Sequence, residues 1–154
     1  MSLKQPFWTH ASAGNAENHP TAAKHQIDGI FYRPTGEDTS RLHERFTFAV
    51  PTPTLQNGRK FYPSFATVRL QTSGTARVSL IYVYDGEREL FGLRWPDVDL
   101  KLPNVDNIRY KIPCRNGGPP TMMYGINITV CIQFDKAGTD DWVRFYSVGM
   151  DLYS

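Results

Sequence analysis

The segment from Tyr124 to Phe134 alternates apolar and polar residues almost without interruption, and this alternation constrains the fold more than any other feature. The two interleaved sets are Ile126, Ile128, Val130, Ile132 and Phe134, and Asn127, Thr129, Cys131 and Gln133. Successive side chains of a strand point to opposite faces of a sheet. The segment therefore predicts a long β-strand with one buried face and one wetter face.

Shorter alternating segments recur along the chain, and no convincing helix pattern separates them. The predicted strands are 27–33, 43–50, 65–71, 76–84, 89–95, 108–113, 124–134 and 142–153, with a short one at 7–11. Asp85-Gly86 is a turn signal between two of them. Eight or nine such strands predict an all-β fold, an antiparallel β-sandwich that is jelly-roll-like.

Two strands carry more specific predictions. Segment 76–84 has apolar residues on both faces, which predicts a central strand. In the last strand, the alternation places one set of side chains on a common face: Trp142, Arg144, Tyr146, Val148, Met150 and Leu152.

The length of 154 residues fits one domain. Residues 1–26 are rich in Ala, Asn, His, Ser and Gly and predict an irregular N-terminal arm with Phe7-Trp8 as its apolar anchor. Residues 27–154 then form a single β-sandwich domain.

Charge and hydropathy exclude several classes of partner. The net charge is only +2, and the arginines are scattered between predicted strands, so no basic stripe for nucleic acid is present. No apolar run approaches the roughly 20 residues that span a membrane. Residues 1–17 lack the apolar core of a signal peptide, which favours a cytoplasmic protein unless a leader has been removed.

Cys114 and Cys131 are the only thiols. If the strands at 108–113 and 124–134 formed a hairpin, the two residues would lie on the order of 20 Å apart, beyond the reach of a disulfide. Two free thiols are the favoured interpretation, and a disulfide stays open if those strands are not neighbours.

Aromatic residues in or beside loops suggest a ligand class. Sugar rings stack their C–H faces on aromatic rings, while carboxylates hold their hydroxyls. The predicted saccharide site consists of Trp95, Tyr62 and Tyr124 with Asp97 or Asp99. The alternative is structural, because large rings also seal the open ends of a sandwich.

Metal sites receive weaker support. The loop holding Asp97, Asp99, Asn104 and Asp106 could offer oxygen ligands to calcium, as could Asp135, Asp140 and Asp141. Neither cluster has the spacing of an EF-hand, so a solvated turn is the preferred interpretation. The four histidines are nine, six and eighteen residues apart, a spacing that matches no closed zinc site.

No catalytic motif emerges: the chain has no Gly-x-Ser-x-Gly elbow, no His-Glu-x-x-His and no phosphate-cradling glycine loop. We therefore predict a non-catalytic ligand-binding module, carbohydrate-binding and lectin-like. The alternative is a structural or interaction subunit that self-associates into a homo-oligomer through its arm or an edge strand.

Overall fold

The computed structural model describes residues 4–35, 42–53, 55–56, 58–114 and 117–154. Their strands are β1 (Lys4–His10), β2 (Asn15–Ala16), β3 (Ala23–Gln26), β4 (Gly29–Tyr32), β5 (His43–Val50), β6 (Leu55–Gln56), β7 (Arg59–Lys60), β8 (Tyr62–Ser73), β9 (Arg77–Asp85), β10 (Arg88–Arg94), β11 (Asp106–Lys111), β12 (Ile126–Gln133) and β13 (Trp142–Tyr153). A single turn of 3-10 helix, Ala11–Ala13, follows β1.

These strands form two antiparallel sheets. The six-stranded sheet has the order β11-β8-β13-β4-β3, and β1 pairs with β13 beside β4. The five-stranded sheet has the order β10-β9-β12-β5-β2, while β6 and β7 form a small separate ribbon. The predicted all-β sandwich is confirmed, with a few more short strands than the eight or nine expected. Strand β9 is central as predicted, because it pairs with both β10 and β12.

Aromatic rings from both sheets meet in the core. The Phe145 ring of β13 lies 4.8 Å from the ring of Phe46 and 5.1 Å from that of Phe48, both on β5. Tyr32 of β4 packs edge-on against Phe46 at 5.7 Å. All four side chains are fully buried. Since burying one such side chain stabilises a fold by about 1.5–3 kcal/mol, this cluster holds the two sheets together.

The predicted face of the last strand is correct only for its second half. Pairing between β13 and β8 shifts register between Phe145 and Ser147, which marks a β-bulge at Tyr146. A bulge inserts one extra residue and thereby reverses the alternation that follows it. Consequently Val143 and Phe145 are buried before the bulge and Val148 is buried after it, whereas Trp142 stays partly exposed.

The segment predicted as an irregular arm is integrated into both sheets. Strand β1 pairs with β13 over seven residues, and β2 pairs with β5. The Glu44 carboxylate, fully buried, accepts hydrogen bonds from the backbone amides of Asn18 and His19 at 2.8 Å each. His19 Nδ1 lies 2.9 Å from the same carboxylate. The short strand predicted at 7–11 overlaps β1, whereas no local pattern predicts β2, whose partner β5 is distant in sequence.

The two cysteines are free, Cys114 exposed and Cys131 buried. The supposed hairpin that framed this prediction is wrong, because β11 pairs with β8 in one sheet and β12 lies in the other. Residues 112–125 carry the chain from one sheet to the other, so adjacent alternating segments did not become adjacent strands. In the described part of the chain, no helix has the length and apolar character that crossing a membrane requires.

Candidate functional site

A buried carboxylate fixes the loop that precedes β12. Asp85 ends β9, and its side chain is fully buried. It accepts hydrogen bonds from the backbone amides of Met123, Tyr124 and Gly125 at 2.8–2.9 Å and pairs with Arg88 at 2.8 Å. Asp85 therefore determines where the Tyr124 side chain emerges.

The pKa of Asp85 follows from these contacts. Burial alone would raise the pKa, because it disfavours the charged form. The three backbone amides and Arg88 outweigh burial and lower the pKa below its ordinary value of 3.8. The carboxylate is thus ionised at neutral pH and acts as a structural acceptor at this end of the sandwich.

Tyr124 lies in an open position above the turn between β9 and β10. Its side chain is 73% exposed, and its ring occupies the space next to Gly86, where an added Cβ would come within 2.9–3.0 Å of ring atoms. Gly86 has a φ of 59°, so both its backbone conformation and the ring favour glycine here. Two open depressions of about 590 and 380 Å³ adjoin the ring, and Asn127 lines the second.

From that depression the outer surface of the five-stranded sheet continues along β9 and β12. Asn127 is paired with Tyr84, and Thr129 is paired with Tyr82. The two tyrosine rings lie 5.8 Å apart, and both are partly exposed. Thr129, on β12, is only 8% exposed. We refer to Tyr82, Tyr84, Asn127, Thr129 and Tyr124 with its depressions as the tyrosine face.

Asn127 contributes a polar group that the fold does not use. Its side-chain oxygen is buried, and among the described residues it has no hydrogen-bond partner. A buried acceptor without a partner is costly, and most such groups in folded proteins are satisfied. Among the described residues this acceptor is therefore unused, and Asn127 also lines an open depression.

Gly92 shapes the other end of the tyrosine face. It pairs with Tyr82, and a Cβ added at Gly92 would lie 2.2 Å from an atom of the Tyr82 ring. Arg94, on the same strand, holds its guanidinium 5.6 Å from the ring centre and donates a hydrogen bond to the Tyr82 hydroxyl. The Tyr82 ring can lie close to the sheet because Gly92 has no side chain, and the Arg94 guanidinium holds the ring in this position.

Cys131 lies next to this surface but is chemically quiet. It pairs with Leu80 and Arg45 on the neighbouring strands and is fully buried. Burial raises the pKa of the Cys131 thiol, and the nearby Arg45 guanidinium offsets this only in part. Since the thiolate is the nucleophilic form, this thiol is suited to packing rather than to catalysis.

The structure separates the predicted site residues into two groups. Trp95, 60% exposed, follows β10, and its amide donates to the Ser79 carbonyl near the start of β9. Tyr124 is bound to Asp85 at the end of β9. Six residues of strand separate these anchors, which is roughly 20 Å. Trp95 and Tyr124 therefore mark opposite ends of the same sheet, and their part in binding stays a prediction.

Of the remaining predicted residues, Tyr62 lies near the Tyr124 end, and Asp97 and Asp99 lie near the Trp95 end. Tyr62 begins β8 in the other sheet, and its ring packs 5.6 Å from that of Tyr153. Asp97 and Asp99 lie just beyond Trp95, both exposed. Tyr62 is close to the Tyr124 end, because the carbonyl of neighbouring Phe61 accepts a hydrogen bond from Met122.

The acidic loops are joined through one arginine. Arg77 lies 3.4 Å from Asp99 and 2.7 Å from Asp135, so each of the two loops considered for calcium gives a carboxylate to the same cation. Asp141 is buried and accepts hydrogen bonds from Thr75 and from the amide of Gly138. Within the described ranges, no three His, Cys, Asp or Glu side chains converge as a metal site would require.

The outer face of the six-stranded sheet also carries aromatic rings, and arginines lie over two of them. Arg109 lies 3.7 Å from the ring centre of Phe65, and Arg33 and Arg144 each lie 5.4 Å from that of Phe31. Trp8 is 47% exposed, with its ring against Gly149. Among the described residues, the tyrosine face is distinguished by a buried acceptor without a partner, the Asn127 oxygen, beside its rings.

Sequence reasoning overlooked Tyr82, Tyr84 and Asn127. Both tyrosines belong to segment 76–84, which the sequence predicts as a strand with apolar residues on both faces. Their spacing of two residues already places both rings on one face. What the sequence lacked was the pairing of β9 with β12, which brings Asn127 beside Tyr84.

Comparison with known proteins identifies a family. Residues 3–152 match the model of a family of unknown function, DUF6623. The chain belongs to this family. None of the curated proteins matches it.

This chain is also similar to several solved structures. The xylan-binding module CBM15 has 14% sequence identity and a TM-score of 0.50, with 99% of this chain and 96% of that one covered. A family two carbohydrate esterase from Cellvibrio japonicus has 10% identity and a TM-score of 0.45, covering 100% of this chain and 36% of that one. The family 29 carbohydrate-binding module CBM29_1 from Piromyces equi has 6% identity and a TM-score of 0.42, covering 97% and 90%. At 14% identity, the likeness of this DUF6623 chain to CBM15 concerns the β-sandwich fold alone.

Proposed function

We propose that this DUF6623 chain is a non-catalytic saccharide-binding module and that the tyrosine face is its binding site. The observation that carries the proposal is the Asn127 oxygen, which has no partner among the described residues; Asn127 lies beside Tyr84 and lines the depression next to Tyr124. Sugar hydroxyls need acceptors of this kind, and sugar rings need aromatic surfaces beside them.

The arrangement of rings favours an extended ligand. Tyr124, Tyr84 and Tyr82 follow one another along the direction of β9, with two rings 5.8 Å apart. A chain of several neutral sugar rings could lie along them, with its hydroxyls reaching Asn127 and the exposed carboxylate of Glu89 opposite Tyr84. The sandwich shared with the xylan-binding module supports this class of function at the level of fold.

Trp95 and Asp97 extend the proposal to the far end of the sheet. Trp95 is 60% exposed beyond β10, and Arg94 next to it contacts Tyr82. A ligand long enough to cover the whole face would therefore meet Trp95 after Tyr82. Tyr62, in the other sheet, is not needed for this path.

We expect Tyr84→Ala to weaken binding to a neutral polysaccharide roughly thirtyfold, the effect of losing about 2 kcal/mol at a central aromatic contact. Tyr84→Phe keeps the ring and should bind within about threefold of the original chain. Asn127→Ala should weaken binding about fivefold, as expected for the loss of one hydrogen bond of about 1 kcal/mol. Isothermal titration against xylan, mannan and glucan oligosaccharides measures all three.

Trp8→Ala is the matched control, because it removes an exposed ring from the outer face of the other sheet. It should leave saccharide affinity unchanged. If Trp8→Ala abolishes binding while Tyr84→Ala does not, the site lies on the six-stranded sheet. If no oligosaccharide in a broad panel binds or raises the melting temperature, the saccharide-binding function itself is wrong.

A further inference from the structure

A separate pocket lies on the opposite side of the sandwich from the tyrosine face. It encloses about 330 Å³ on the outer face of the six-stranded sheet, at the β3–β4 edge. The residues that line it are Thr21, Ala22, Lys24, Phe31, Arg33 and Thr35. Lys24 pairs with Phe31 across β3 and β4, and Arg33 lies two residues beyond Phe31, so all three side chains share one face.

Positive charge is concentrated around this pocket. Arg33 and Arg144 both hold their guanidinium groups 5.4 Å from the Phe31 ring centre. Arg144 has a carboxylate partner, Asp28, at 3.2 Å. Within the described ranges, neither Lys24 nor Arg33 forms a salt bridge.

Arg33 also has an unused hydrogen-bond donor. Its Nε is buried, and among the residues that the structure describes it has no hydrogen-bond partner; the same holds for Nε of Arg144. Among the described residues the Nε donor of each guanidinium is thus without an acceptor, although a terminal nitrogen of Arg144 donates to Asp28. A guanidinium edge is the group that recognises planar carboxylates and other oxyanions through paired hydrogen bonds.

We propose that this pocket binds a small oxyanion, such as a carboxylate, sulfate or phosphate group, held by Arg33 and Lys24. Lys24 is the diagonal neighbour of Arg33 across the strand pair, a separation that long side chains can span around one ligand. Arg144, behind Phe31, adds positive potential without lining the pocket. This site is independent of the saccharide-binding function, because it lies on the other sheet and selects charge rather than hydroxyl groups.

The test uses sodium sulfate, sodium phosphate and D-glucuronate at constant ionic strength, with glucose as the neutral counterpart. Amide chemical-shift titration should show saturable changes at residues 21–35 with at least one anion and none with glucose. Binding of sulfate or phosphate would identify a general oxyanion site, and binding of glucuronate alone would identify an acidic-sugar site. Absence of saturable changes at these residues with all three anions would overturn the proposal.

Variants distinguish binding at a specific site from general electrostatic attraction. Arg33→Gln should weaken anion binding at least tenfold. Lys24→Gln, at an exposed position, should weaken anion binding severalfold without destabilising the fold. Arg69→Gln is the matched control, since it removes an exposed arginine from β8 on the same outer face, outside the pocket lining. Equal weakening by Arg69→Gln, or unchanged affinity in both pocket variants, would show that no specific site exists. Tyr84→Ala should leave anion binding intact even if saccharide binding fails.

Discussion

A chain lacking residues 1–19 is expected not to fold cooperatively. The deletion removes β1, which covers seven residues of the β13 edge, and leaves the fully buried Glu44 carboxylate without the amides of Asn18 and His19. The loss of these contacts is large for a domain of this kind, which has a total stability of about 5–15 kcal/mol. Circular dichroism melts and the dispersion of amide NMR signals measure the loss.

Glu44→Gln isolates one part of this effect, because it keeps β1 and β2 and weakens only the carboxylate contacts. We expect it to remain folded, with a free energy of unfolding lowered by about 2 kcal/mol. A truncated chain that melts cooperatively at an unchanged temperature would contradict this view of the N-terminal segment. If it stays folded but loses mass on size exclusion, the self-associating subunit predicted as the alternative function would gain direct support.

Asp85→Asn is the second change with a large expected effect. It replaces a buried carboxylate by an amide whose NH₂ group would face the donors of Met123, Tyr124 or Gly125. We expect the free energy of unfolding at pH 7 to fall by about 3 kcal/mol, which lowers the melting temperature of a domain this size by roughly 6–12 °C. Asp97→Asn, on an exposed carboxylate, is the control and should change little.

The same residue predicts how stability depends on pH. The pKa of Asp85 is lower in the folded than in the unfolded chain, so as the pH falls the unfolded chain takes up its proton first. The stability that Asp85 contributes is complete well above its ordinary pKa of 3.8 and is lost as the pH falls through that value towards the lower folded pKa. Asp85→Asn should therefore have a shallower acid limb between about pH 5 and 3. An equally steep limb would contradict the role assigned to this carboxylate.

We expect the loss of stability in Asp85→Asn to be accompanied by weaker saccharide binding. The carboxylate holds the backbone of Tyr124, so Asp85→Asn should weaken saccharide binding even at temperatures where the variant is folded. Tyr84→Ala, by contrast, should weaken binding with little change in the melting temperature, because Tyr84 is partly exposed on the sheet surface.

Local alternation was sufficient to predict much of the fold. Strands β5 and β13 have the predicted limits, and β12 carries the predicted buried row, because tertiary contacts reinforced a strict period of two. Strands β2 and β3, which were not predicted, are short, and they form because β5 and β4 offer edges that no local pattern reveals. The bulge at Tyr146 was equally invisible, since an extra residue changes the face without changing composition.

The candidate site was harder to predict for a geometric reason. Loop aromatics such as Trp95 and Tyr124 are conspicuous in the sequence, but only the strand pairing reveals that they lie at opposite ends of β9. Asn127 gives no signal at all, because an amide within an alternating strand resembles any solvent-facing residue. It enters the proposed site because its oxygen is buried beside Tyr84 and has no partner among the described residues.

Gly92 has a consequence for how the tyrosine face could diversify. Because the Tyr82 ring fills the volume that a side chain at this position would need, even one added methyl group would lift the ring from the strand. The height of Tyr82 relative to Tyr84 is thus encoded on a different strand from either tyrosine. A single substitution at position 92 would recontour this surface, and under the proposed function it would change which polymer the surface accommodates without altering either tyrosine.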